Sequence, residues 1–296
     1  MSKSSSLIFF GSGPVAAKSL QLLLDTFDIE AVITKPRAPH HRGPVPVLDI
    51  CEKHGLKTHT PSNRTELSQL FTTFKPASRL GLVIDYGIII NQDVIDSFPL
   101  GIVNSHFSLL PQWRGADPIT FAILSGQQQT GVSLMLIVAK MDEGPLLAQA
   151  PYDIPTKATT PELTNSLIEL SDQMLKQILP MYIAGTTTPA PQLEVTMAPS
   201  KTPSYSRKLT KDDGILIWNK PSVQLEREIR AYTGWPKSRT ELLGKSIIVT
   251  QSRVAHNQND GALVIACNPG WLEITQLIGP SGKTMTGADF LRGYSK

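Results

Sequence analysis

The residues best suited to chemistry in this 296-residue chain lie between positions 101 and 118. The segment reads Gly-Ile-Val-Asn-Ser-His-Phe-Ser-Leu-Leu-Pro-Gln-Trp-Arg-Gly-Ala-Asp-Pro. Its apolar start, Gly101 to Asn104, predicts a strand, and polar residues follow at the carboxyl edge of a sheet, where open α/β folds bind ligands. Asn104 and His106 are two residues apart, so an extended backbone projects both side chains to the same side. Asp142 lies in the turn Met141-Asp142-Glu143-Gly144 after another apolar run. From there a carboxylate can converge on the imidazole and fix its orientation.

Amide, imidazole and carboxylate together suit acyl transfer to an amine. In that reaction Asn104 donates to the developing oxyanion, and His106 moves protons from the attacking to the leaving nitrogen or, when charged, shares the oxyanion. Asp142 orients His106 and helps hold the amine. No Ser or Cys nucleophile is required if the donor already carries an activated acyl group. The same residues also fit structural roles: Asn104 as a cap, His106 as a hydrogen-bonded core histidine, Asp142-Glu143-Gly144 as a hairpin turn. Spacing alone leaves both readings open.

The elements that must position these residues follow from periodicity. A strand at Leu7–Phe10 turns at Gly11-Ser12-Gly13-Pro14 into a helix at Val15–Leu24. There follow a strand at Ala31–Thr34, helices at Val47–His54 and Glu66–Phe74, and a strand at Leu80–Ile84. After a helix at Pro118–Leu124 come strands at Gly131–Val138 and Leu146–Ile154 and a long helix at Glu162–Ile183. This alternation predicts an α/β fold, a Rossmann-like doubly wound parallel sheet, over residues 1–185. Residues 186–203, rich in Thr and Pro, read as an extended linker. Residues 204–296 hold a helix at Ser222–Tyr232 and short β-rich runs at Ser246–Thr250, Ala262–Ala266 and Leu272–Leu277, which predict a small OB-like β-barrel.

Gly11-Ser12-Gly13-Pro14-Val15-Ala16 formally matches a dinucleotide-binding fingerprint. The second strand, however, runs into Thr34-Lys35-Pro36 without the acidic residue that would hold a ribose, and Pro14 removes one N–H that a pyrophosphate would use. A tight strand-to-helix turn is the better reading.

Composition narrows the function classes. The two cysteines, Cys51 and Cys267, lie far apart with no ligand spacing around them, so neither a disulfide framework nor a metal site is expected. The apolar run after Ser6 is too short for a signal peptide, and no later run is long enough to cross a bilayer. The expectation is a cytoplasmic protein with no membrane partner. Residues 1–200 carry 14 Lys and Arg against 17 Asp and Glu, a balance of −3, whereas residues 201–296 carry 14 against 8, a balance of +6. A basic carboxyl-terminal domain suggests a polyanionic partner, with nucleic acid the usual candidate, although a solvated surface also explains it.

The run Asn104-Ser105-His106 followed by Ser108-Leu109-Leu110-Pro111-Gln112-Trp113-Arg114-Gly115-Ala116-Asp117-Pro118 resembles the signature of the methionyl-tRNA formyltransferase family. Phe10–Pro14, Asp85-Tyr86-Gly87, Gln224–Tyr232 and Trp235-Pro236 extend the resemblance over nearly the whole chain. It implies formyl transfer from 10-formyltetrahydrofolate to the amine of initiator methionyl-tRNA, with Asn104, His106 and Asp142 catalytic. It also implies that Asp85, Tyr86, Gly87 and Ser108, Leu109, Leu110, Pro111 line the folate site, with no metal. The segment Lys35–Pro44 resembles the family's mobile loop, which implies tRNA contacts from Arg37 and Arg42. His40 and His41 read as surface histidines. Asp85, Ser105, Gln112 and Asp117 depart from the family's usual residues. The nearest competing reading is a folate-dependent formyltransferase for an amino-sugar nucleotide or another small amine, which needs no basic appended domain. A non-catalytic RNA-binding protein is a second. A monomer is expected.

Overall fold

Short continuous apolar runs and helical stretches alternate through the first half of the chain, and the computed structural model gives each its element. It describes residues 5–40, 42–258 and 262–294. In chain order these hold β1 (Ser6–Gly11), α1 (Gly13–Leu23), β2 (Asp28–Ile33), α2 (Pro46–His54), β3 (Thr58–His59), α3 (Arg64–Thr73), β4 (Gly81–Ile84), α4 (Gln92–Ile95), β5 (Ile102–His106) and β6 (Arg114–Gly115). Next come α5 (Pro118–Ser125), β7 (Gln129–Leu136), β8 (Leu146–Asp153), α6 (Thr160–Ile183), α7 (Gln192–Val195) and β9 (Tyr205–Ser206). The chain ends with α8 (Ser222–Ala231), β10 (Ser238–Leu242), β11 (Lys245–Ala255), β12 (Val264–Ala266), β13 (Trp271–Ile278), β14 (Thr284–Thr286) and α9 (Gly287–Tyr294).

Two units emerge from the packing. One comprises Met1–Gly115, Thr130–Tyr152 and Asn165–Tyr205; the other comprises Ala116–Gln129, Asp153–Thr164 and Ser206–Lys296. The first is a Rossmann-like sheet of order β3-β2-β1-β4-β5-β7-β8. Strands β1, β2, β4 and β5 pair in parallel, whereas β7 runs antiparallel to β5. The parallel sheet expected from the sequence therefore carries an additional edge. The order reverses about β1, so the carboxyl ends of β1 and β4 form the switch point of the sheet.

Local chemistry explains the boundaries. Helix α3 starts at Arg64 rather than Glu66 because the Asn63 side chain accepts the N–H groups of Thr65 and Glu66, at 3.0 Å each, and caps the first turn. Glu66 reaches back to the Ser62 N–H at 2.8 Å. At the end of β1, a Cβ on Gly11 would lie 2.6 Å from the Phe9 ring and 2.7 Å from Ala16, so the first glycine of the fingerprint-like turn serves helix–strand packing. The aromatic core forms around Phe10, stacked on Phe71 with centroids 6.1 Å apart and edge-on to Tyr86 at 5.7 Å.

Residues 186–203, expected as an extended linker, pack with the first unit. They contain α7 and a bridge from Ala190 to Leu146. Cys51 and Cys267 are free thiols. Among the described residues no helix is long and apolar enough to cross a membrane.

The second unit is a curled antiparallel sheet of order β10-β11-β13-β12, with β14 on β13. Register shifts at Val249, Gln251 and Ser252 bend β11. The OB-like barrel takes the form of an open half-barrel packed on α8 through Leu225 and Ile229. Residues 153–164 join this unit through an ion pair to a buried carboxylate. Glu226 accepts Arg230 at 3.0 Å and Lys157 at 2.9 Å, and Arg230 also donates to the Ala158 carbonyl at 2.8 Å. Burial opposes ionisation of Glu226, but the hydrogen bonds from Arg230 and Lys157 prevail and hold its carboxyl below the usual range.

Tyr232, at the end of α8, is 7% exposed. Burial, reinforced by the charges of Glu228 and Asp213 and opposed by Arg207, pushes its phenol up to about 12. An unfolded tyrosine ionises near pH 10, so above that pH the unfolded chain releases a proton that the folded chain retains, and stability falls as pH climbs through about 12. Guanidinium midpoints measured between about pH 9 and 12 should therefore decline less steeply in Tyr232→Phe than in the parent, the gap reaching about 2 kcal/mol.

Candidate functional site

Strand β5 is longer than periodicity indicates, because β7 continues the ladder past Asn104 and pairs Ser105 with Leu134 and His106 with Ser133. Asn104 and His106 therefore both belong to the strand and share one side of it. Ser105 points the other way, its hydroxyl 2.7 Å from that of buried Ser171 on α6. That polar departure is thus satisfied inside the protein.

Asn104, His106 and Asp142 converge. His106 is 6% exposed, and its Nε2 lies 2.9 Å from the Trp113 carbonyl oxygen. A carbonyl can only accept, so Nε2 carries the proton and donates it. The other ring nitrogen, Nδ1, faces Asp142 Oδ2 at 3.8 Å. The same Oδ2 accepts the Gly115 N–H at 2.7 Å, and Asn104 Nδ2 makes a long contact of 3.5 Å with Oδ1. The site thus holds one amide donor, one ring nitrogen able to take or give a proton, and one carboxylate that touches both.

The supports of this group are unusual in their backbone. Asp142 has φ 52° and Trp113 φ 56°, both in the left-handed region that side chains disfavour. At Gly144 an added Cβ would lie 1.6 Å from the Leu136 carbonyl oxygen, so only glycine fits there. Residues that sequence reasoning did not single out complete the support. Gln192, 4% exposed on α7, donates to the carbonyls of Asp142 at 2.7 Å and Gly144 at 2.9 Å and accepts from Arg114 at 2.8 Å. Arg114 also meets Glu143 at 3.1 Å. The one signal of Gln192 in the sequence is a lone amide in a proline- and threonine-rich stretch.

The remaining candidates divide. Asp85 (φ 49°) and Gly87 (φ 68°) are exposed at the end of β4, close to the switch point, and the Asp85 carbonyl accepts the Ser12 N–H at 2.8 Å. The Tyr86 side chain, 3% exposed, turns into the core, where burial pushes its phenol well above the usual range. Ser108, Leu109, Leu110 and Pro111 are all buried. The Ser108 hydroxyl donates to the Gln112 carbonyl at 2.6 Å, and the Leu110 N–H donates to Ser133 at 3.0 Å. These four residues shape the loop between β5 and Trp113 rather than present side chains to solvent. Asp117 accepts the Leu209 N–H at 2.9 Å. Arg37 is exposed and donates to the Gly43 carbonyl at 2.9 Å, bracing its own loop; Arg42 and His40 are exposed, and His41 lies outside the described residues. Among the described residues no group of three or more His, Cys, Asp or Glu side chains is placed to hold a metal ion.

Two family models match the chain: formyl transferase over residues 8–179 and formyl transferase, C-terminal domain, over residues 208–295. A methionyl-tRNA formyltransferase of Pseudomonas paraeruginosa is 35% identical over 300 residues, covering 96% of this chain and 94% of that protein. One from Roseiflexus castenholzii is 33% identical over 305 residues, covering 97% and 95%. Among solved structures, an N-formyltransferase from Helicobacter canadensis in complex with folinic acid and dTDP-3-aminofucose superposes with a TM-score of 0.67 at 18% identity, over 91% of this chain and 98% of that one. HypX from Aquifex aeolicus superposes with a TM-score of 0.65 at 14% identity, over 98% of this chain and 47% of that one. At such identities these structural likenesses concern the fold.

The geometry at Gly144 makes a direct prediction. Gly144→Ala must displace the turn and lower unfolding stability by roughly 1–3 kcal/mol in chemical denaturation. Gly293→Ala, in helix α9 with nothing within 4 Å of the added carbon, should leave stability equal to the parent or up to about 1 kcal/mol above it.

Proposed function

This chain belongs to the formyl transferase family, and on that premise we propose that it transfers a formyl group from 10-formyltetrahydrofolate to the α-amine of methionine esterified to initiator tRNA. The observation that carries this reading is near-full-length likeness, through both halves of the chain, to methionyl-tRNA formyltransferases at 31–35% identity. The basic balance of residues 201–296, +6, agrees with a polyanionic acceptor.

The chemistry follows from the residues already described. The neutral amine attacks the formyl carbon, and Asn104 Nδ2 donates to the oxygen as it gains charge. His106, with Nε2 engaged by the Trp113 carbonyl, uses Nδ1 to receive the proton lost by the attacking nitrogen. Asp142 stabilises the resulting imidazolium and holds the ammonium-derived N–H groups in line. The carbon–nitrogen bond to the carrier then breaks, and the proton passes to the departing N10. The products are formylmethionyl-tRNA and tetrahydrofolate.

The carrier is a folate, and its place is the edge formed by Asp85, Tyr86 and Gly87 with the loop Ser108–Pro111. Asp85 and Gly87 offer exposed main chain there, and the buried side chains of Tyr86, Ser108, Leu109, Leu110 and Pro111 hold that main chain in shape. Arg37 and Arg42 contact phosphates near the acceptor end of the tRNA. Residues 1–185 act as the catalytic region and residues 204–296 as the tRNA-binding region, joined through 186–203. The protein works as a monomer in the cytoplasm.

The test incubates the purified protein with 10-formyltetrahydrofolate and, in parallel, methionine-charged initiator tRNA, uncharged tRNA and free methionine. Formylmethionine released by mild base should appear only from the charged tRNA, and Asn104→Ala should slow it by about 10²–10³-fold. Formylation of a small amine but not of charged tRNA would refute the acceptor. Absence of formyl transfer to any acceptor would refute the reaction.

A further inference from the structure

A buried side-chain amide that gives both of its N–H groups to one turn fixes that turn. Gln192 meets this description. Its Nε2 donates to the Asp142 carbonyl at 2.7 Å and the Gly144 carbonyl at 2.9 Å, and its Oε1 accepts Arg114 Nη2 at 2.8 Å. Only 4% of the residue is exposed. Arg114 in turn meets Glu143 at 3.1 Å, so every residue from Asp142 to Gly144 is gripped by one of these two side chains. The next residue after Arg114, Gly115, supplies the N–H that the Asp142 carboxylate accepts at 2.7 Å. The geometry points to Gln192 as a positioning residue for the reaction proposed above: through the main chain of Asp142 and through Arg114, it sets where the Asp142 carboxylate stands relative to His106 and Asn104.

The physical need is clear from the backbone. Asp142 sits at φ 52°, a conformation that an isolated Asp reaches only at a cost of about 1 kcal/mol or more, so surrounding bonds must hold it. Intraturn support is sparse: the Glu143 N–H reaches the Lys140 carbonyl at 3.4 Å. The two carbonyls gripped by Gln192 flank Glu143, so its amide spans the turn. A relaxed turn would carry the carboxylate away from the Nδ1 of His106, and an ångström of misplacement in such a group costs about 10²-fold in rate.

Because this inference rests on the formyl-transfer reading, its test uses the full chain and the charged-tRNA assay. Two variants separate the roles of the amide. Gln192→Leu removes all three hydrogen bonds; Gln192→Glu keeps an acceptor for Arg114 and removes the donors to the turn. Both should lower kcat by about 10- to 100-fold while the KM values for tRNA and folate stay within about threefold. In an Asp142→Asn background, Gln192→Leu should lower kcat by less than about threefold more, because the group through which it acts is already disabled. Parent-like kcat in either variant, folded by circular dichroism, would overturn the inference. So would an equal loss from Gln192→Leu in the parent and in Asp142→Asn. If Gln192→Leu does not fold, Gln192→Glu carries the test alone in both backgrounds. A parent protein with no formyl transfer defeats the function reading itself; an active parent slowed by Asp142→Asn but not by the Gln192 variants defeats only this inference.

Discussion

The site depends on where one carboxylate is held. Asp142 Oδ2 accepts the Gly115 N–H at 2.7 Å, a short charge-assisted bond from rigid main chain, and everything else in the group is arranged around it. His106 faces that oxygen, Asn104 approaches the other, and the imidazole is fixed from behind by the Trp113 carbonyl. The donors come from main chain or from strand β5, which the sheet makes stiff. Asp142 itself comes from a turn, and that turn is held by Gln192 and Arg114.

Two left-handed residues, Trp113 and Asp142, bracket His106 from opposite sides. A bulky Trp in that region is disfavoured, and its N–H bond of 3.0 Å to Ser204 helps retain it there. Strained backbone around a reactive histidine is the usual sign that geometry has been selected over local stability. The tight fit at Gly144 follows from the same demand, since the turn must lie against the Leu136 carbonyl to bring Asp142 within reach.

Much of this was legible in the sequence, where the information was local. The alternation of apolar runs gave β1, β2, β4 and β5 and their helices, and the two-residue spacing of Asn104 and His106 placed them on one side of a strand. The position of Asp142 after an apolar strand pointed to convergence. What periodicity does not carry is partnership over distance. The continuation of β5 to His106 depends on β7, and the length of β11, 245–255 rather than 246–250, depends on β13. The two-residue strand β3, the short helices α4 and α7, and Gln192 within α7 have too few residues to show a period. Asp117 reads as a departure in a motif, yet its carboxylate accepts the Leu209 N–H, ninety-two positions away. The antiparallel run of β7 beside β5 is likewise a matter of topology that no local pattern records.

The second unit is discontinuous in the chain, gathering Ala116–Gln129 and Asp153–Thr164 to Ser206–Lys296. Glu226 binds Lys157 and its partner Arg230 reaches the Ala158 carbonyl, while α5 packs with α8. A ribosome delivers α5 and the 153–164 strip well before α8 and β10–β14, so these early pieces must wait, with Ile119, Ala122 and Ile123 of α5 uncovered, until synthesis is nearly complete. Nascent chains are therefore most exposed to aggregation and chaperone capture while the last third is being made. For the same reason no single break in the gene separates the two units cleanly, and exchange of the carboxyl-terminal module between homologues by one crossover would graft a half-barrel without its matching inserts.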